Sequence, residues 1–429
     1  MELSKLNLKN IFGTTTTFRL GPKVNPREAK IGVVGVGYVG QALVDTLVSS
    51  GYQTYGFDVD RNKLLVINHK LFTGAVSIKV LEPCDVIVVC VPTPLGKNRK
   101  PDLSCLIDAV SGLAGIQDRE RLIIIESTVA PGTLRNIVLP VFERAGRKCG
   151  RDFYLAMSPE RVDPGNTIFA VKNIPRVVGG IDEASTHLAT EFYSNFIDRV
   201  VPLSSVEAAE LTKTLENTFR LVNISLINEI KSYADRVGID IWEVIDAAAT
   251  KPYAFMPHYP GPGVGGHCIP VDPVYLFEEA KRRGVSLDIV RSAIKVNEAQ
   301  PKKIVQEAKR ALNGRPNGKK AKLFLIGIAY KPGSRDTRES PALKIWEEAE
   351  KQGLSVSYFD PNVPVLNGYN SKLLSYDTLL KQDVIVIVTD HKNVPYEMLA
   401  TINKPIIDCR NIMRKFTKNN LLKNDRMGI

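Results

Sequence analysis

IGVVGVGYVG, Ile31–Gly40, places glycines at 35, 37 and 40 between a β-rich run and a stretch patterned as a helix. In a G-x-G-x-x-G of this setting the first glycine permits a tight turn. The second lets backbone approach a pyrophosphate, and the third lets helix and strand pack closely. The helix N-terminus then favours negative phosphates. Asp58 follows at the end of the next strand-like run, Gln53–Asp58. A carboxylate there accepts from ribose hydroxyls and repels a 2′-phosphate, which selects NAD over NADP.

Outward from this turn the chain alternates. Lys30–Val36 reads as a strand, Ala42–Ser49 as a helix, and Val86–Val91 and Leu122–Glu126 as continuous apolar runs. Such runs suit central parallel strands covered on both faces. Val91-Pro-Thr-Pro and Glu126-Ser-Thr end two of them, where ligands of open parallel sheets bind. From Ser204 to Arg236 the apolar residues Leu211, Leu215, Phe219, Val222, Leu226, Ile230 and Tyr233 recur every three or four positions, one face of a long helix. At roughly 30 residues and about 45 Å it is too long for one small domain and suits a connection that also packs on a partner subunit. Helical patterns continue at Ile241–Ala249 and Pro273–Arg283. A second α/β pattern runs through Lys322–Ile328, Ala342–Gln352, Ser355–Asp360, Val384–Thr389 and Pro405–Asp408.

The expected fold class is therefore α/β, two Rossmann-like doubly wound domains joined by a long-helix central domain. The expected bounds are an N-terminal extension over 1–28, an NAD-binding Rossmann domain over 29–203, a central helical dimerisation domain over 204–302 and a C-terminal α/β domain over 319–429. Length of 429 residues with 44% hydrophobic and 24% charged content suits several globular domains. No apolar run approaches a bilayer span and the first residues lack a signal-peptide pattern, so a cytoplasmic protein is expected. Cysteines at 84, 90, 105, 149, 268 and 409 show no CxxC spacing, so neither a zinc ribbon nor a redox dithiol is indicated, and no metal is expected. The net charge of +11 comes with no nucleic-acid-binding motif; its basic residues are spread, and a few serve a diphosphate ligand.

The richest glycine and proline stretch, Tyr259-PGPGVGGHCIPVDP, holds Cys268 beside His267 and shortly before Asp272. Glycines remove side chains where a ligand or another backbone comes close. A cysteine is most often a small buried hydrophobe, but one on an exposed glycine loop beside ionisable groups is a nucleophile candidate. Lys213 and Asn217 lie one turn apart at the border of the long apolar stripe, and Ser158-PERVDPGN carries Glu160 and Asp163 in a turn. Taken singly, these polar residues read more readily as a solvated helix face and an ordinary loop than as a site.

Together the segments resemble the UDP-glucose/UDP-N-acetylhexosamine 6-dehydrogenase family. The matching pieces are GVGYVG at 35–40, EST at 126–128, SPERVDPGN at 158–166, Lys213-TLEN, GPGVGGHCIPVDP at 261–273, IAYKPGSRDTRESP at 328–341 and Asp408-CRN, in order, over about residues 28–415. The resemblance implies a homodimer through the central helix, a C-terminal UDP-binding domain and NAD-dependent double oxidation of sugar carbon 6 to a uronic acid. The first hydride transfer gives an aldehyde, Cys268 adds to it as a thiohemiacetal, a second transfer leaves a thioester, and water hydrolyses it.

By the same resemblance, Lys213 and Asn217 donate to the substrate oxygen, and Asp272, Glu160 and Thr128 handle the proton and the attacking water; which of Glu160 and Asp272 is base in each step stays open. The implied cofactor contacts are Gly35, Gly37, Tyr38, Val39, Gly40 and Asp58, with Thr93, Ser127, Thr128 and Arg338. The implied substrate contacts are Glu160, Arg161, Val162, Lys213, Asn217 and Arg220, with Tyr259, Gly265, Lys331 and Arg410. Pro164 stands where UDP-glucose enzymes carry a second acidic residue, and TKPYAFMPHYPGPG with His267 looks like the N-acetylhexosamine branch. UDP-GlcNAc is expected first, UDP-ManNAc next and UDP-glucose third. A 6-phosphogluconate-type dehydrogenase would need neither Cys268 nor a third domain. A non-catalytic nucleotide sensor on the same scaffold would be free to lose Cys268, Lys213 and Asp272, and all three are present.

Overall fold

A computed structural model of the chain describes residues 22–26, 28–116, 118–161, 171–312 and 320–416. Most of the expected extension, and Val162, Asp163 and Pro164, lie outside these residues. The chain forms two compact units, Met1–Glu216 and Asn217–Ile429.

The first unit holds strands β1 (Lys30–Val34), β2 (Gln53–Phe57), β3 (Phe72–Ala75), β4 (Val86–Val89), β5 (Arg121–Ile125), β6 (Phe153–Met157), β7 (Arg176–Gly180) and β8 (Val200–Pro202) in one sheet. Its order is β3-β2-β1-β4-β5-β6-β7-β8. The first six strands are parallel, in the order of a doubly wound dinucleotide fold. β7 runs antiparallel to β6 and parallel to β8. Helices α1 (Tyr38–Ser49), α2 (Arg61–Leu65), α3 (Ser104–Gly115), α4 (Leu139–Arg144) and α5 (Glu183–Ser194) connect them.

The unbroken apolar runs follow from this layering. On β4, Ile87 and Val89 enter a core shared with Leu106, Val110 and Leu113 of α3. Val86 and Val88 point the other way, into a core with Leu43, Val44 and Leu47 of α1 and Phe192 of α5. Each such buried side chain contributes about 1.5–3 kcal/mol. β1 ends at Val34, two residues before the run read from sequence, because Gly35 turns the chain at φ +86°.

α6 (Val206–Val237) is the expected long helix, and the division between the units falls within it. In the isolated chain its apolar stripe faces outward: Leu215 is 57% exposed, Leu226 50% and Tyr233 66%. α7 (Ile241–Ala249), α8 (Asp272–Arg282) and α9 (Asp288–Ala311) follow. The pattern-based reading contained no helix at 288–311. Pro301 lies inside α9 and removes one backbone donor, yet Ile304, Val305 and Ala308 beyond it are buried in the next core. The expected domain edge at 302 thus falls within a continuous helix.

That core belongs to a second parallel sheet, ordered β10-β9-β13-β14. Its strands are β9 (Lys322–Ile326), β10 (Ser355–Phe359), β13 (Val384–Ile387) and β14 (Ile406–Asp408), with a small hairpin of β11 (Val365–Leu366) and β12 (Tyr369–Asn370) beside it and helices α10 (Pro341–Lys351) and α11 (Tyr376–Leu380). Alternate residues of β9 and β13 again enter two cores. The turn after β9 repeats the one after β1. Gly327 has φ +84° and donates to Phe359 O at 2.9 Å; Gly35 has φ +86° and donates to Phe57 O at 2.8 Å. Asp360 follows Phe359 as Asp58 follows Phe57. Asp360 accepts from Ile328 N, Ala329 N and the ring of buried His391, at 2.6, 2.9 and 3.1 Å.

Candidate active site

The glycine turn is built as its spacing predicts. A β-carbon at Gly35 would lie 2.9 Å from Cys90 O, and one at Gly40 2.0 Å from Gly35 O, so helix α1 and strand β1 approach only because both lack side chains. A β-carbon at Gly37 would meet no protein atom within 4 Å, which leaves the N-terminus of α1 open to a ligand. Asp58 is 5% exposed; its carboxylate accepts from Val36 N and Asp60 N, both at 2.9 Å, and pairs with Lys63 Nζ at 3.3 Å. This cradle fits a dinucleotide, with ribose hydroxyls against Asp58 and pyrophosphate at the turn. Tyr38 is exposed and Val39 half-buried above it. Past β4 and β5, Thr93 Oγ1 donates to Thr128 O at 2.8 Å and Ser127 Oγ to Val91 O at 2.7 Å, tying the two strand ends.

Glu160, just past β6, is reached by Arg176 Nη2 at 2.6 Å and by Arg161 N at 2.7 Å. Arg161 bonds Pro175 O at 2.6 Å and Glu216 of α6 at 2.7 Å. Lys213 is half-buried one turn before Asn217 on the same helix. Glu210 on this helix receives Leu134 N at 2.8 Å as well as Gly132 N, and burial pushes its carboxyl up to about 7.

In the second unit the Cys268 loop is gripped from several sides. Asn228 Oδ1 of α6 accepts from Gly261 N at 2.9 Å, and Asn297 Oδ1 of α9 accepts from Val264 N at 2.7 Å. β-Carbons at Gly265 and Gly266 would lie 2.6 Å from Pro341 Cδ and 2.9 Å from the Tyr330 ring, so the loop lies flat on the segment after β9. Cys268 is exposed, and its carbonyl accepts from Val271 N and Asp272 N at 3.0 and 2.8 Å, which turns the chain into α8. Asp272 is 3% exposed and receives Asn217 Nδ2 at 2.5 Å. His267 is held below the ordinary histidine range by burial first and by the Arg338 guanidinium second.

Arg410 reaches this loop, and Lys331 and Arg338 lie on or near the segment it packs against. Arg410 Nη1 would be 3.1 Å from a β-carbon at Gly261, and its Nε donates to Val388 O at 2.8 Å. Lys331 Nζ lies 5.7 Å from the Tyr330 ring, and Arg338 pairs with Asp336 at 2.6 Å. Arg220 is exposed on α6. Tyr259 stacks on Trp242, centroids 5.2 Å apart, and donates to Asp246 at 3.1 Å. The pattern-based reading missed Arg176, Asn228 and Asn297. For Arg176 a signal existed, a lone charge opening the apolar run RVVGG; the asparagines carry none outside their fold.

The first unit carries a doubly wound sheet with an open glycine turn, and the second, taken by itself, an exposed cysteine on a glycine loop beside a buried aspartate; these are the parts of a dinucleotide-dependent dehydrogenase with a candidate thiol nucleophile. Sequence comparison places three domain descriptions on the chain: UDP-glucose/GDP-mannose dehydrogenase family, NAD binding domain over 66–197, central domain over 207–299 and UDP binding domain over 324–415. A UDP-N-acetyl-D-mannosamine dehydrogenase of Pyrococcus horikoshii is 35% identical over 414 residues, covering 90% of this chain and 96% of its own. A UDP-N-acetyl-D-glucosamine 6-dehydrogenase of Pseudomonas aeruginosa is 33% identical over 356 residues, covering 78% and 83%. The solved structure of a UDP-D-ManNAc dehydrogenase from Pyrococcus horikoshii superposes with a TM-score of 0.80 at 34% identity, over 89% of this chain and 96% of that one. The chain belongs to the UDP-glucose/GDP-mannose dehydrogenase family, and its first unit is an NAD-binding domain. Among the described residues, no helix is long and apolar enough to cross a membrane.

Proposed function

We propose that the chain oxidises the carbon-6 alcohol of a UDP-N-acetylhexosamine, UDP-GlcNAc or UDP-ManNAc, to the uronic acid through a thioester on Cys268. The observation that carries this reading is the grouping of exposed Cys268 with the Asn217–Asp272 pair; two relatives named for N-acetylhexosamine substrates support the sugar. NAD, when bound at the Gly35–Asp58 turn, supplies the hydride acceptor for both oxidations. The Cys268 thiolate adds to the carbon-6 aldehyde, forming a C–S bond and an alkoxide that takes up a proton. Loss of that proton and of the carbon-bound hydrogen as hydride leaves a thioester. Water then adds, the C–S bond breaks, and the acid and the free thiol are released. Lys213 and Asn217 donate to the oxygen that carries the developing charge, and Asp272, Glu160 and Thr128 manage the proton and the water. Arg161, Arg220, Tyr259, Gly265, Lys331, Arg338 and Arg410 contact the nucleotide sugar or cofactor charges.

The deciding measurement is NADH formed per sugar nucleotide consumed, with UDP-GlcNAc, UDP-ManNAc and UDP-glucose compared. The expected result is a ratio of two with an N-acetylhexosamine. A ratio of one sinks the thioester route, and turnover of UDP-glucose alone sinks the sugar assignment.

The same reading includes a homodimer through α6, supported by the exposure of Leu215, Leu226 and Tyr233 on one stripe. Leu215→Glu/Leu226→Glu should convert a dimer to monomer at micromolar concentration in light scattering; a wild-type monomer there would remove the proposal. We keep the domain bounds near 203 and 319, with α9 bridging the central and C-terminal parts.

A further inference from the structure

Arg176 opens β7 with its side chain only 4% exposed, and its guanidinium spans two carboxylates. Nη1 lies 2.5 Å from Glu126 Oε1, and Nη2 lies 2.6 Å from Glu160 Oε2. Glu126 also receives Tyr193 OH from α5 at 2.5 Å and has Cys90 Sγ at 3.7 Å. The Tyr193 ring lies 4.8 Å from the guanidinium carbon. Glu160 Oε1 also accepts from the backbone N of Arg161. The ionisable groups named around this cluster come from β7, α5 and the residues just past β4, β5 and β6.

One carboxylate would neutralise one buried guanidinium. A second leaves excess negative charge at depth, which is costly. The two carboxylates are not equivalent: the Glu126 side chain is 0% exposed and the Glu160 side chain 14%. Glu126 lies behind and Glu160 at the accessible edge, with the rigid two-pronged fork of an arginine between them.

We propose that Arg176 is a positioning residue that fixes the Glu160 carboxylate from behind, and that Glu126 sets how much of the guanidinium charge Glu160 receives. This rests on the reading that Glu160 acts on the proton or the water. Burial first, and the Glu160 charge with it, pushes Glu126 up to about 7 against the opposing pull of Arg176. Below that pH a neutral Glu126 leaves the guanidinium charge to Glu160 and weakens it as a base. Above it the charge is shared, and Glu160 becomes the stronger base.

The test compares kcat against pH, with KM for both substrates and thermal melting, for wild type, Glu126→Gln, Arg176→Lys and Glu160→Gln. Wild type should show a rise in kcat centred near pH 7 that Glu126→Gln lacks. Arg176→Lys should lose roughly ten- to a hundredfold in kcat at KM values within about twofold. A wild-type pH profile in Glu126→Gln overturns the proposal, as does equal loss of melting temperature, kcat and KM in Arg176→Lys with no change in profile. If Arg176→Lys does not fold, the Glu126→Gln profile decides alone. An inactive Glu160→Gln beside an unchanged Glu126→Gln profile sinks only this proposal; full turnover in Glu160→Gln sinks the role of Glu160 itself, and Arg176 with it.

Discussion

Cys268→Ser should reduce formation of the uronic acid by at least about a thousandfold, the scale on which a catalytic nucleophile is lost. A hydroxyl is far less ionised than a thiol at neutral pH and is the poorer leaving group once an ester has formed. The substitution lies on an exposed loop end, so the fold should survive; the grip on that loop is backbone N–H to Asn228 and Asn297, together with glycine packing on Tyr330 and Pro341. NAD affinity should hold, because the Gly35–Asp58 turn belongs to the other unit. The readout is NADH per sugar nucleotide together with product carboxylate. Full turnover in the serine variant would remove the covalent route altogether.

Lys213→Ala should cost roughly 100- to 1,000-fold in kcat, the range for removing one preorganised donor from a developing oxyanion. An ammonium placed by a helix needs no reorganisation at the moment of reaction, and this is why its loss falls on kcat. If KM alone rose and kcat held, Lys213 would contribute only uniform binding. Lys213→Arg, measured beside it, separates charge from shape, since a guanidinium keeps the charge but not the point geometry of an ammonium.

Much of this architecture is legible in the sequence. The glycine spacing at 35, 37 and 40 has a steric meaning that the turn repeats atom for atom, with Gly40 unable to carry a β-carbon beneath Gly35 O. The continuous apolar runs foretold strands with helices on both faces, and β4 divides its residues between two cores accordingly. The long stripe on α6 was legible because a period of three to four survives exposure. Helix α9 was not: Pro301 removes a backbone donor within it, and burial of Ile304, Val305 and Ala308 in a core that the local pattern does not reveal carries the helix through. Strand β7 also escaped, for its pairing with β6 is antiparallel and brief. The motif residues were found by resemblance; what holds them was not. Arg176 lies 16 positions from Glu160 and 50 from Glu126, and nothing local to either carboxylate calls for it. Asn297 reaches the cysteine loop across 33 positions for the same reason.

The turn that follows β1 has a twin after β9, and the two differ in what their aspartates face. Asp58 rests beside an opening at Gly37, whereas Asp360 is enclosed by Ile328 N, Ala329 N and His391, and Ala329 is fully buried. In the second half the acceptor that would read a ribose is already saturated by its own chain. The two halves share an architecture but not a vocabulary: among the described residues, the aspartate of the first turn keeps an opening beside it, while that of the second is spent on holding its own loop together.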